Sequence, residues 1–225
     1  MIFFLRWYKD IVRSYWRTQN LKMKTMKKLI TSISVGLFLM VFGLQTVYSQ
    51  EATQWKLDKS HTSVNFSINH FFSAVTGKFS NFEGQIYFDP NNTSTSKADF
   101  TIAVKSVNTD DSKRDKHLQS GDFFNASDYP NITFKSSKIE KKNEKDYLVY
   151  GQLTIRDKSK DIVLPLKVTG EMEHPMMKGT IILGLASKLK INRTDFGVGT
   201  GSWAATMVVG DEVTIDIHME LNRKK

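Results

Sequence analysis

Apolar and polar residues alternate in short runs from about residue 55 to the end of the chain. In the most regular run, residues 213–221, Val, Ile, Ile, Met and Leu occupy every second position, with polar side chains between them. An alternation with a period of two places one face of a β-strand against a core and the other in water. This pattern therefore predicts a chain built mainly from half-buried strands.

The same alternation predicts further strands, and turn signals separate them. Strands are expected near Trp55 and at residues 63–69, 75–88, 98–105, 132–134, 153–155, 162–168 and 181–185. Within one of them, Pro165 predicts a bulge or an edge position, since proline has no N–H to donate. Eight or more strands without a repeat or a linker favour one antiparallel sandwich or barrel over residues 52–223.

One segment predicts a short helix. Residues 109–111 supply capping oxygens and acidic groups, residues 113–119 could form two turns, and Gly121 would end them. Phe123 and Phe124 follow directly. If the strands form a barrel, these rings would pack the helix over one end of it and decide whether the interior is open.

The positive charge of the chain is concentrated at its N-terminus. Residues 1–49 hold eight of the 32 Lys and Arg but only one of the 23 Asp and Glu, which leaves 24 basic and 22 acidic residues from Gln50 onward. A nearly neutral domain lacks the cationic surface that neutralises phosphates. We therefore expect no nucleic-acid partner.

Residues 23–49 have the anatomy of a secretory signal peptide. Positive charges at Lys24, Lys27 and Lys28 precede an uncharged, largely apolar stretch, residues 29–44, and a small-residue cleavage site ends at Ser49. A membrane anchor is the alternative, but about 16 apolar residues fall short of the roughly 20 that span a bilayer. We expect export, cleavage and no stable membrane span afterwards.

Residues 1–22 do not suit a signal peptide and are interpreted as an upstream extension. Met23 and Met26 are each better starts for the exported chain. The start site is therefore left open between these positions.

The sequence offers little catalytic chemistry. The chain has no cysteine, and its five histidines lack the spacing of metal ligands on one element. No Gly-x-Ser-x-Gly elbow occurs, and the glycines at 197, 199 and 201 are not followed by the Lys and Ser or Thr of a phosphate-binding loop. We expect no cofactor and no metal, with a site built from His61, His70 and an acid as the alternative.

Two polar constellations stand out. In the first, Arg114, Asp115 and His117 could form a polar rim for a ligand head group, or could brace a neighbouring loop as part of a capped helix. In the second, Arg193 could anchor an anion, or could pair with Asp195 across a turn. Arginine suits both roles, because its planar donors bind carboxylate and phosphate alike.

Ordered motifs along the chain carry a resemblance to a known family. They are Leu57-Asp58-x-x-His61-Thr62-x-Val64-x-Phe66-x-Ile68-x-His70, Val75-Thr76-Gly77-x-Phe79, Phe82-x-Gly84-x-Ile86, Arg114-Asp115-x-His117-Leu118, Asp122-Phe123-Phe124, Tyr129-Pro130-x-Ile132-x-Phe134, Gly151-x-Leu153-Thr154-Ile155 and Arg193-x-Asp195-Phe196-Gly197. From Trp55 to Leu221 the chain resembles the YceI-like family of exported polyisoprenoid-binding proteins. It departs from the family pattern at residues 156–160, where it has a more charged turn.

The resemblance implies an all-β fold: an eight-stranded, antiparallel, lipocalin-like barrel with one short helix over an end. It further implies that the interior holds a long isoprenoid chain in the periplasm without catalysis, with a role in envelope stress. A homodimer is compatible with it. An eight-stranded barrel is just wide enough for its own side chains or for one slim ligand.

The lipid tail is expected to contact the inward, mostly aromatic faces of the strands and the helix end. These residues are Val64, Phe66, Ile68, Phe79, Phe82, Phe100, Ile102, Leu118, Phe123, Phe124, Phe134, Leu153 and Phe196. The head group is expected at Arg114, Asp115, His117 and Arg193. Two alternatives stay open: a lipid-modifying hydrolase or isomerase that uses Asp115, His117 and Arg193, and a packed structural module without a ligand.

Overall fold

The computed structural model describes residues 13–26, 51–205 and 207–225, and the chain divides into two compact units, residues 1–49 and 50–225. In the first unit, residues 13–26 form a helix, α1, which the sequence analysis does not predict. Most of the predicted signal peptide, residues 27–49, lies outside the described residues. Within the described ranges, no helix has both the length and the apolar character needed to cross a bilayer.

The described residues of the second unit form ten strands, and every neighbouring pair is antiparallel. They are β1 (Gln54–His70), β2 (Ser73–Phe79), β3 (Phe82–Tyr87), β4 (Lys97–Ala103), β5 (Val107–Asn108), β6 (Asn131–Lys141), β7 (Asp146–Ile155), β8 (Lys158–Glu173), β9 (Thr180–Asn192) and β10 (Val209–Lys224).

Eight of these strands close into a ring. The order is β1, β3, β4, β6, β7, β8, β9 and β10, and β10 pairs with β1, for example Ile217 with Val64. The stretch predicted as strand at residues 75–88 consists of two strands, β2 and β3, which both pair with β1 at different levels. The predicted fold class, a closed eight-stranded antiparallel barrel, is confirmed.

The ladder between β8 and β9 is incomplete. It begins at Lys167 opposite Ala186, so that in the described chain residues 158–166 pair with β7 alone. Pro165 lies in this part, opposite Leu148 of β7. Pro165 therefore lies at a local edge of a strand that is otherwise internal, in agreement with the predicted edge position. Its missing N–H removes no hydrogen bond to β9, because β9 does not pair with this part of β8.

A short helix, α2 (Ser112–Gln119), covers the end of the barrel at which β9 stops and β10 begins. Asp111 caps it, because its carboxylate accepts hydrogen bonds from the backbone N–H of Lys113 at 3.0 Å and of Arg114 at 3.1 Å. The predicted helix is thus one residue longer at its start. Residues 120–130 and 193–205 lie at the same end, which we call the covered end.

Side chains fill the opposite end of the barrel. Five buried side chains pack together there, and they are Trp55, Phe88, Tyr147, Leu183 and Leu221. The indole N–H of Trp55 donates to the carbonyl of Phe88 at 2.9 Å, and the rings of Phe88 and Tyr147 meet edge to face at 5.1 Å. This packing closes the end of the barrel opposite the covered end.

Candidate functional site

An apolar cavity of about 220 Å³ runs inside the barrel and is lined by inward residues of all eight ring strands. A water occupies roughly 30 Å³ in the liquid, so the space corresponds to on the order of seven waters. Among the described residues, the polar members of the lining are Thr62, Asn65, Ser187 and Arg193. Cavities with so few polar groups stay dry and take apolar guests.

Glycines opposite phenylalanines help to keep this cavity open. Phe66 pairs with Gly77 across β1 and β2, and Phe100 pairs with Gly84 across β4 and β3. A Cβ atom on Gly84 would lie 2.7 Å from the Phe100 ring, which is closer than packed carbon atoms can approach. Each ring therefore lies across the bare backbone of its glycine, against the wall and not across the lumen.

The structure places twelve of the thirteen predicted tail-contacting residues on the cavity lining. They are Val64, Phe66, Ile68, Phe79, Phe82, Phe100, Ile102, Leu118, Phe123, Phe124, Phe134 and Leu153. Phe196 is the exception: it is buried in the turn that follows β9, away from the lining. The strand alternation no longer applies in that turn. Contact of the twelve with a lipid stays a prediction.

The prediction of tail-contacting residues favoured aromatic side chains and left out many aliphatic residues of the lining. Inward residues of β10 and β8 contribute as well, among them Ile162, Leu164, Val213, Ile215 and Ile217. The alternation that predicts these strands also marks these residues as inward, so the signal was present. Ser187 is different, because a polar residue at an inward position breaks the alternation.

Arg114 and Asp115 form hydrogen bonds within the protein and do not line the cavity. The Asp115 carboxylate accepts from the backbone N–H of Thr109 at 2.8 Å and from its hydroxyl at 2.6 Å. The Arg114 guanidinium donates to the same hydroxyl at 2.8 Å and to the Thr109 carbonyl at 2.7 Å. These bonds fix the connection from β5 to α2, which corresponds to the bracing alternative.

His117 lies at the rim of the covered end. Its Nε2 atom is 3.0 Å from the Asp122 carboxylate, and its ring meets those of Phe123 and Trp203 edge to face at 5.0 and 4.9 Å. Of these four residues, Phe123 is the one that also lines the cavity. The three rings form an aromatic cover over this end of the barrel.

Arg193 lines the cavity but has no donor to spare. Its guanidinium donates to five backbone carbonyls, those of Val198, Gly199, Trp203, Val209 and Gly210. Its acidic neighbour is Asp211, at 3.5 Å, and not the predicted Asp195. Burial lowers the pKa of Arg193, and the charge of Asp211 opposes this. Five N–H groups are all that a guanidinium has, so a head group would have to displace one of these bonds.

Arg156, in the charged turn that departs from the family pattern, ties the cover to the barrel. Its guanidinium donates to the carbonyl of Phe123 at 2.9 Å and to that of Gly197. The guanidinium also lies 5.8 Å from the centre of the Tyr129 ring. One side chain from the β7–β8 turn thus joins both segments of the covered end.

A group of potential metal ligands lies away from the cavity. His61 Nδ1 is 3.1 Å from the Asp58 carboxylate and 3.8 Å from that of Glu220. The hydrogen bond between Asp58 and His61 raises the pKa of the histidine and lowers that of the carboxylic acid. These side chains could hold a divalent cation, but the His61 imidazole is exposed and already has a partner. His70, which the sequence suggested as a co-ligand, is not part of the group.

Fold and cavity together define a closed β-barrel with an apolar interior, the type that can hold one small ligand. The family model of the YceI-like domain matches residues 55–221, and the chain belongs to this family.

Comparison with individual proteins agrees with this assignment. Protein YceI of Escherichia coli is 34% identical over 171 residues, which cover 75% of this chain and 88% of that protein. The crystal structure of BcnA from Burkholderia cenocepacia superposes with a TM-score of 0.67 at 31% identity, covering 73% of this chain and 99% of BcnA. A polyisoprenoid binding domain from Saccharophagus degradans shares the fold, with a TM-score of 0.55 at 18% identity over 74% of this chain and 97% of that domain.

Proposed function

We propose that this protein is a periplasmic carrier that holds a long lipid of the polyisoprenoid type inside its barrel. The observation that carries the proposal is the cavity, because it lies inside the barrel, is lined by all eight ring strands and is almost free of polar groups. Apolar ligands bind in such sites because binding removes their apolar surface from water, which is favourable. The polyisoprenoid binding domain from Saccharophagus degradans has the same fold, and the signal-like residues 23–49 support export.

The energetics of burial permit useful affinity. A tail of about 40 carbons hides on the order of 800 Å² of apolar surface, which gives roughly 20 kcal/mol at about 25 cal/mol per Å². The loss of translational freedom and the ordering of a flexible tail offset much of this gain. We expect micromolar or tighter binding to remain.

Native mass spectrometry of protein isolated from the periplasm of its own organism tests the proposal. We expect an added mass that organic solvent extracts as lipid. The variant Leu189→Trp, which fills the cavity, should carry little or none, whereas Lys190→Trp, its outward neighbour on β9, should carry as much as the wild type. Recovery of the wild type without lipid, together with no uptake of a prenyl probe, would refute the carrier function.

Neither alternative function is favoured by a specific observation. Asp115 and Arg193, which an enzyme would need as acid, base or anion anchor, hydrogen-bond to the protein's own chain. A filled structural module would leave no space inside the barrel, and the cavity is present. Unchanged lipid after incubation with the wild type would be the expected result for a carrier.

A further inference from the structure

The hydroxyl of Ser187 is a buried polar group without a partner. Ser187 lies on β9 between the inward residues Leu185 and Leu189, lines the cavity and is 5% exposed. Its Oγ atom makes no hydrogen bond to any described residue. Proteins seldom leave a buried hydroxyl unsatisfied, because desolvation without a new bond costs free energy. Such a group in a ligand-sized cavity points to a ligand atom or a water.

Ser187 lies deep in the barrel and not at its mouth. Arg193, at the covered end, follows Ser187 by six positions, which is roughly 20 Å along the strand. Its neighbour across the ladder is Ile217 of β10, an apolar lining residue. A polar ligand group that reaches Ser187 therefore meets mainly apolar side chains, and Thr62 and Asn65 are the other uncharged polar residues of the described lining.

The charges around the cavity restrict what that group can be. Arg193 is the one charged residue among the described lining residues, and all five of its donors are occupied by backbone carbonyls. A phosphate at the depth of Ser187 would be desolvated without a cation to neutralise it, which is prohibitive. A carbonyl or a hydroxyl needs only one or two hydrogen bonds.

We propose that Ser187 hydrogen-bonds to an uncharged carbonyl or hydroxyl of the bound lipid, so that the natural ligand is a neutral polar lipid and not a lipid phosphate. This inference rests on the proposed carrier function and specifies the ligand class of the same site. The polar group of the lipid then lies inside the barrel, next to Ser187. Arg114, Asp115 and Arg193, at the covered end, hydrogen-bond within the protein and hold its backbone in place.

Binding to the delipidated full chain tests the inference with three probes: a polyprenol of about 40 carbons, its monophosphate, and squalene, which has no polar atom. The variant is Ser187→Ala, and the control is Ser67→Ala, at an outward position between Phe66 and Ile68 on β1. One neutral hydrogen bond corresponds to roughly a five- to tenfold change in affinity.

We expect Ser187→Ala to bind the polyprenol roughly five- to tenfold more weakly than the wild type and to bind squalene with unchanged affinity. Ser67→Ala should bind all three probes as the wild type does. The wild type should bind the polyprenol more tightly than its monophosphate. In the absence of lipid, Ser187→Ala should melt at the same or a higher temperature, because it removes an unsatisfied group.

Two results would overturn the inference and leave the carrier function intact: equal polyprenol affinity of wild type and Ser187→Ala, as expected if the hydroxyl binds only water, or tighter binding of the monophosphate. Failure of the wild type to bind any of the three probes would instead overturn both proposals together.

Discussion

Arg193 shows how one residue can serve two roles that sequence does not separate. A guanidinium near the end of a strand could bind an anion. Here the guanidinium of Arg193 donates hydrogen bonds to five backbone carbonyls of the segments 198–203 and 209–210. These segments form no regular ladder with each other, so their carbonyls need donors from elsewhere. Arg193 supplies them and thereby holds the turn at the covered end in place.

Removal of this side chain should destabilise the fold strongly. Arg193→Ala leaves several buried carbonyls unsatisfied and should lower the free energy of unfolding by about 3–5 kcal/mol. Urea denaturation measures the change. Lys190→Ala, which breaks an exposed ion pair with Glu212 of 2.7 Å, is the control and should cost less than about 1 kcal/mol. Similar losses for both variants would show that Arg193 is not a brace.

The pair of Asp58 and His61 predicts a pH dependence of stability. The pKa of His61 is raised above its ordinary value of 6.5, so its contribution is complete below that pH and disappears as the pH rises through the folded value. The lowered pKa of Asp58 has the opposite consequence: its contribution exists above the ordinary 3.8 and disappears as the pH falls through the folded value.

His61→Gln should therefore reduce the loss of melting temperature between about pH 6 and about pH 8.5. His70→Gln is the matched control, since His70 is an exposed histidine that contacts the Phe71 ring at 4.7 Å. It should retain the wild-type profile. The same slope in wild type and His61→Gln would contradict the assignment.

At the scale of elements, the pairing of phenylalanine with glycine shapes the cavity wall. Phe100 on β4 lies across Gly84 on β3, and Phe66 on β1 lies across Gly77 on β2. A side chain at either glycine would push the ring into the lumen. The width of the cavity is thus set by contacts between neighbouring strands.

Gly84→Ala should displace the Phe100 ring and cost about 1–3 kcal/mol through overpacking. It should also reduce uptake of a prenyl probe, because the displaced ring enters the cavity. Gly170→Ala on β8 is the control, since no atom lies within 4 Å of the position of its new Cβ. Thermal unfolding and probe binding are the measurements, and equal behaviour of the two variants would refute this role of the glycine.

At the scale of the whole molecule, ring closure by β1 and β10 makes the interior a single compartment that exists only in the folded state. A ligand bound there must stabilise the fold by mass action. With polyprenol at about 100 times its dissociation constant, the free energy of unfolding should rise by about 2.7 kcal/mol. Denaturation with and without the lipid measures this, and Leu189→Trp should show no such gain if the cavity is the binding site.

The fold class, the inward faces of the strands and the capped helix follow from the amino-acid sequence, because alternation and capping are local patterns. Residues 213–221 and Asp111 illustrate this. Three properties become visible only in the folded chain: the lumen is partly empty, Arg193 has no free donor, and the hydroxyl of Ser187 has no partner among the described residues. These properties depend on atoms from strands and turns far apart in sequence, whose spacing no local pattern encodes.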